Sequence, residues 1–149
     1  VAEDMGSQSS LLFSPQQIEE FFVPGFRRMI ELARSAGVKV FHHSDGAVRP
    51  IIPRMVELGI DILNPIQWRC DGIDRAELKS AFGDRLVFHG AMDNQETLPF
   101  GTPQDVRKEA EENLAILGAG GGYILAPCHN LQSITPVENV VAMYEVVNG

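Results

Sequence analysis

Phe41-His42-His43-Ser44-Asp45-Gly46 is the stretch whose reading decides the fold. The apolar run Val38-Lys39-Val40-Phe41 leads into it, two histidines and an acid close it, and a glycine then turns the backbone. Metal-ligating and acid–base side chains therefore sit at the carboxyl end of an expected strand. The pattern recurs downstream. A strand from Ile60 ends at Asn64 and Gln67, one from Leu86 ends at His89 and Asp93, and one from Tyr123 ends at Cys128-His129-Asn130. Repeated strand–helix units with polar tips are expected in a (β/α)8 barrel, which keeps its chemistry at the strands' carboxyl ends.

Between the strands the periodicity turns helical. Ser14-Pro15-Gln16-Gln17 carries a cap, a first-turn proline and a closing glutamine, so a helix opens there. Pro24 is expected to kink or split it, because proline has no N–H to give the preceding turn. Phe26, Met29, Ile30 and Ala33 continue at helical spacing, and Gly37 is expected to cap that segment. Further helices are expected over 50–58, within 71–82, from Thr102-Pro103-Gln104-Asp105 to the glycine run 118–122, and from Thr135-Pro136-Val137-Glu138 to about Val147. The strands are short apolar runs without clean alternation, as expected of parallel strands covered by helices. Val1-Ala2-Glu3-Asp4 reads as the end of a further strand, making about five parallel strands, too few to close a barrel of eight. A small doubly wound sheet is the structural alternative. Against it, no Gly-x-Gly-x-x-Gly turn follows the first strand.

The 149 residues amount to one domain, 1–149, that starts inside a strand and so reads as a fragment or as the later half of a larger barrel. Apolar residues make up 44% and charged residues 21%, an ordinary globular balance. A formal charge of −8 argues against nucleic acid and anionic membrane as partners. Nothing in the chain reads as a membrane span, signal peptide or transit segment. Cys70 and Cys128 make no disulfide framework, and the cytoplasm is the expected compartment.

The motifs His43-Ser44-Asp45-Gly46, Gly59-Ile60-Asp61-Ile62-Leu63-Asn64-Pro65-Ile66-Gln67, Phe82-Gly83-Asp84-Arg85-Leu86-Val87-Phe88-His89-Gly90 and Gly121-Gly122-Tyr123-Ile124-Leu125-Ala126-Pro127-Cys128-His129-Asn130 occur in one order, with Thr135-Pro136-Val137-Glu138-Asn139 beyond them. In that order they resemble the uroporphyrinogen decarboxylase superfamily, over nearly the whole chain but only the carboxyl-terminal part of the family's barrel. The resemblance implies a partial (β/α)8 TIM barrel and one of two reactions. The superfamily includes decarboxylases of porphyrin biosynthesis, and zinc- and corrinoid-dependent methyltransferases. The methyltransferases carry His-x-Cys-Gly where this chain has His43-Ser44-Asp45-Gly46, so a carboxylate stands in the thiolate's place. Their second cysteine matches His129, one residue after Cys128, and the decarboxylases carry a histidine there.

From this resemblance and the residue types, Asp4, His43, Asp45 and His129 are expected to be catalytic. His43, Asp45, His129 and Cys128 are expected to supply metal ligands, with zinc as the ion. Asn64, Gln67, His89 and Asp93 are expected to line a small-molecule substrate. The methyltransferase reading implies methylcobamide delivered by a partner corrinoid protein; decarboxylation of uroporphyrinogen III to coproporphyrinogen needs no cofactor. A third reading is an inactive fragment that self-associates, and open parallel edges make a homo-oligomer the expected assembly. Each residue also has a structural alternative. Asp4 can cap the next turn, Gln67 can bond its own loop, His89 can be a barrel-core histidine, and Asp45 can accept from a loop amide without metal. His42 and His43 cannot share a strand face, so His43 is expected to face the site and His42 to pack outward. Trp68, Cys70, Tyr123 and Tyr144 are expected to pack, and Arg107-Lys108-Glu109 with Glu111-Glu112 to form a solvated helix face.

Overall fold

The computed structural model describes residues 3–148. In chain order the elements are α1 (Pro15–Gln17), a π-helical turn (Ile18–Phe22), α2 (Val23–Ser35), β1 (Phe41–His43), a 3-10 turn (Arg49–Ile51), α3 (Ile52–Leu58), β2 (Ile62–Asn64), α4 (Arg75–Phe82), β3 (Val87–Met92), α5 (Thr97–Phe100), α6 (Pro103–Leu117), β4 (Tyr123–Pro127) and α7 (Val137–Asn148). The four strands form one open parallel sheet in the order β1-β2-β3-β4. This is part of a (β/α)8 barrel.

The helix boundaries follow local chemistry. Ser14 and Gln17 bond each other's backbone amides, a complete capping box, and Thr102 and Asp105 do the same at α6. Pro24 does split the first helical stretch. Val23 donates to Ile18 in a wide π turn and α2 restarts with Pro24 in its first turn, where no N–H is needed. Gly59 ends α3 with φ +99°, in the left-handed region that glycine enters without cost.

The strands begin later than the apolar runs suggest. β1 is Phe41–His43 rather than 38–41, and β3 continues through Met92. Asp61 accounts for the shift at β1, because its carboxylate takes the Val40 N–H and Lys39 ahead of the ladder. The expected strand at the amino terminus begins outside the described residues. Glu3 donates to the His43 carbonyl, but no strand of the sheet includes residues 3–4.

The core lies between the sheet's outer face and the helices. His42, Leu63 and Phe88 point there and are fully buried, against Phe26, Ile30, Met55 and Leu78 among others. A second cluster, Met92, Leu98, Val106, Ala110, Ala142 and Met143, ties β3 to α5, α6 and α7. The inner face carries Phe41 and His43, Ile62 and Asn64, Val87 and His89, and Ile124 and Ala126, following the two-residue period from the register. Tyr123 is partly buried, its hydroxyl donating to the Gly90 carbonyl, whereas Tyr144 is exposed on α7 rather than in the core. Glu109 is also not part of a solvated face. It is buried, accepting from the Asp93 amide and the Thr97 hydroxyl, because it falls on the α6 stripe with Val106, Ala110 and Asn113. Among the described residues no helix is long and apolar enough to cross a membrane.

Candidate metal centre

His43 is the last residue of β1, and Asp45 lies two residues on, in the turn that Gly46 makes possible. Gly46 has φ +91°, and a Cβ there would meet the carbonyl oxygens of Gly6 and Ser7 at 2.5 and 2.6 Å. Close approach of two backbones is thus what this glycine serves. The amino-terminal segment is bonded to the turn: Met5 N–H to Ser44 Oγ at 2.9 Å, Ala47 N–H to the Ser7 carbonyl at 2.8 Å, and Asp45 N–H to Asp4 Oδ1 at 3.0 Å. Gly46 N–H donates to Gln67 Oε1 at 2.8 Å, which assigns Gln67 to holding the loop.

His129 arrives from the far end of the sheet, just after β4. His43 Nε2 lies 4.0 Å from Asp45 Oδ1, and His129 Nε2 lies 4.0 Å from Asp45 Oδ2. His43 Nε2 is also 3.6 Å from Asp4 Oδ1. One ligand atom each from His43, Asp45 and His129 falls within 4.8 Å of the others. Burial pushes the Asp45 carboxyl above the ordinary carboxylate range; His43 and His129 pull against it, and Asp4 adds to it. Asp45 Oδ1 is buried and has no hydrogen-bond partner among the described residues. A buried carboxylate oxygen left bare is costly, and a cation held by Asp45 and the two imidazoles would remove that cost. Donors around a tetrahedral zinc stand roughly 3.3–3.5 Å apart, so this set must draw in by roughly 0.5–1.5 Å to close on one.

Two cavities meet at His129. One, of about 300 Å³, is lined by Gln8, Asp45, Gln67, Asn94, Gln95 and Gln132 among others. The other, of about 400 Å³, is lined by Phe41, His43, Asn64, His89, Cys128 and Asn130 among others. The first is mostly polar, and the second mixes polar side chains with Phe41, Ala126 and Pro127. A larger cavity of about 570 Å³ lies under residues 9–15, beside Arg49 and Asp71, and touches none of the expected catalytic or ligand residues.

The remaining expected site residues have other neighbours. Cys128 is buried with its thiol toward the Ile66 carbonyl at 3.5 Å, outside the three-residue group. Burial pushes that thiol well above its usual pKa, and the Asp93 charge adds to the rise. Cys128 and His129 lie in the bend just past β4, where the Cys128 N–H is held by the Met92 carbonyl and its thiol turns toward Ile66. Asp93 is buried as well. It accepts from the amides of Gln95, Glu96 and Thr97 and pairs with Arg69 at 2.9 Å, opening α5. Asn64 and His89 do lie on the inner face beside His43. His43 Nδ1 is 2.6 Å from Asn64 Oδ1, and Asn64 Nδ2 is 2.8 Å from His89 Nδ1. His42 points the other way, edge-on to Phe26. Trp68 packs between the Arg69 and Arg75 guanidiniums and donates to the Ala91 carbonyl, and Cys70 is buried against Gln8. The buried Glu109–Arg69–Asp93 network was hidden in the sequence by a run of neighbouring charges; the signal that marks it is Glu109's place three residues after Val106.

Residues 3–149 match the family model described as uroporphyrinogen decarboxylase (URO-D). The chain belongs to the uroporphyrinogen decarboxylase family. It is 29% identical to a uroporphyrinogen decarboxylase of Anaeromyxobacter dehalogenans, with 97% of this chain and 41% of that protein covered. It is 32% identical to a uroporphyrinogen decarboxylase of Solibacter usitatus, over 85% of this chain and 35% of that protein. A methyltransferase from Methanosarcina mazei has the same fold, with a TM-score of 0.77 at 24% identity, over 99% of this chain and 40% of that one. The chain thus spans about two fifths of the length of the relatives it matches.

Proposed function

We propose that the protein carrying this chain is a metal-assisted methyltransferase that works with a corrinoid protein. The observation that carries this reading is the His43–Asp45–His129 group, in which Asp45 Oδ1 is buried and bare. Two imidazoles and a carboxylate would hold zinc, with Cys128 turned away. When bound, zinc supplies Lewis acidity, which lowers a substrate thiol's pKa or polarises an ether oxygen. The chain's own residues prepare the place. Gly46 lets the Asp45 turn close on residues 4–7, Gln67 fixes that turn, and the two cavities at His129 leave room for a small substrate on either side. Asp4 sits where it can accept a proton from a substrate group near His43. The methyl group would come from methylcobamide on a partner protein.

The test is metal content. The full protein, desalted and measured by elemental analysis, should carry about one zinc per chain, and His43→Ala should lose it. Apoprotein that takes up no zinc from buffered solutions would overturn the reading.

A second reading is decarboxylation of uroporphyrinogen, favoured by the names of the curated relatives. There His129 would lie against the substrate without metal. Metal-free protein that converts uroporphyrinogen to coproporphyrinogen would establish it.

A further inference from the structure

We infer that Asn64 is a positioning residue whose side-chain amide, oriented by His89, holds the His43 ring with its Nε2 lone pair facing Asp45 and His129. This deepens the metal-site reading above and rests on it for its consequence, though not for its geometry.

The three side chains form a row across the sheet. Register places His43 of β1 beside Asn64 of β2, and pairs Leu63 with Phe88, so one further step brings Asn64 beside His89 of β3. All three therefore point to the inner face. An amide has one accepting end and one donating end. Asn64 turns its Oδ1 to His43 Nδ1 at 2.6 Å and its Nδ2 to His89 Nδ1 at 2.8 Å. An oxygen can only accept, so the hydrogen of that bond belongs to His43 Nδ1. A neutral imidazole carries one ring hydrogen, which leaves His43 Nε2 with a lone pair.

That nitrogen lies 3.6 Å from Asp4 Oδ1 and 4.0 Å from Asp45 Oδ1, too far for a direct hydrogen bond to either. The carboxylates thus leave space for an ion instead of taking a proton from Nε2. At the other end, His89 Nδ1 accepts from the amide, and Phe41 packs edge-on to its ring at 5.2 Å. Asn64 is buried, so water does not easily replace either bond. Reversing the amide would put a donor against His43 Nδ1 and move the ring hydrogen to Nε2, facing the acids. The row is therefore a device with two settings, and this structure has the one that suits a metal ligand. Partners that hold a ligating histidine in this way typically change metal affinity about 10- to 100-fold when removed.

The test reads the ring hydrogen directly. Full protein labelled with 15N in its histidines, metal-free and at alkaline pH, is examined by long-range 1H–15N NMR, with His43→Gln assigning the signals. The expected result is His43 as the Nδ1–H tautomer. In Asn64→Leu that preference should be lost and zinc affinity, read by chelator competition, should fall about 10- to 100-fold. Asn64→Asp keeps the acceptor for His43 and should restore both to within about threefold. If Asn64→Leu does not fold, His89→Phe, which removes only the group that orients the amide, should still shift the tautomer and weaken zinc severalfold. An Nε2–H tautomer in the unsubstituted protein overturns the inference, as does an unchanged tautomer in Asn64→Leu or, should that variant not fold, in His89→Phe. Protein that shows the Nδ1–H tautomer but takes up no zinc sinks the metal reading and leaves the hold of Asn64 on His43 standing.

Discussion

His42 offers the sharpest test of how this fold treats its histidines. Its ring is buried, neither nitrogen has a hydrogen-bond partner among the described residues, and it packs edge-on to Phe26. Burial, with a smaller push from neighbouring His43, lowers its pKa from the ordinary 6.5 to about 4. The folded state therefore resists protonation that the unfolded chain accepts. His42 costs nothing through charge above about pH 6.5, and stability is lost as pH falls from there toward 4. Linkage puts the loss at about 1 kcal/mol at pH 5.5 and about 3 kcal/mol at pH 4. The variant His42→Phe keeps an aromatic ring against Phe26 and removes the titration. It should equal or exceed the parent at pH 7, because an unpartnered buried polar group costs about 1–3 kcal/mol. Urea unfolding of both proteins at pH 7, 5.5 and 4 gives the comparison. The difference in unfolding free energy should grow by about 3 kcal/mol in favour of His42→Phe across that range. Curves that stay parallel would show that the ring is not held neutral by burial, and the reasoning would fail.

Other outcomes follow from single contacts. Gly46→Ala should cost at least about 2 kcal/mol in urea unfolding, since the new methyl meets two backbone carbonyls at a positive φ. Glu109→Ala should cost about 3 kcal/mol, because it strips partners from Arg69, Thr97 and the Asp93 amide inside the fold, while Glu111→Ala on the exposed side of α6 should stay within about 0.5 kcal/mol. Cys128→Ser should leave zinc affinity within about threefold of the parent, whereas His129→Ala should lose it by more than about 100-fold; equal losses would bring the thiol back into the ligand set. The outer edges of β1 and β4 have no strand partner among the described residues, so the 149-residue chain on its own should sediment as a dimer or larger, and a clean monomer would contradict this.

Much of the fold is legible in the residues themselves. Ser14 with Gln17, and Thr102 with Asp105, mark helix starts by chemistry local to four residues, and Gly59 marks an end the same way. His43 and Asn64 at strand tips, with His129 just past one, indicate one polar rim, because parallel strands deliver their ends to the same side; His89, expected at a tip, lies inside β3. That His42 faces away from His43 follows from alternation alone.

What the chain order could not decide is what each side chain meets across the fold. Asp45 and Asp93 are both acids just past a strand tip. One carboxylate lies between two imidazoles with one oxygen bare, and the other is surrounded by the amides of α5 and by Arg69. Cys128 and His129 are neighbours in sequence, yet only His129 comes beside Asp45 while the Cys128 thiol points to the Ile66 carbonyl. Glu109 sits in a run of charges and is nonetheless buried, because its partners come from residues 69, 93 and 97. The His43–Asn64–His89 row exists only through strand register, a relation between residues 21 and 25 positions apart. Local chemistry sets where helices and strands stop; long-range packing sets which polar atoms are satisfied, leaving Asp45 Oδ1 bare beside the candidate ligands and the His42 ring bare in the core.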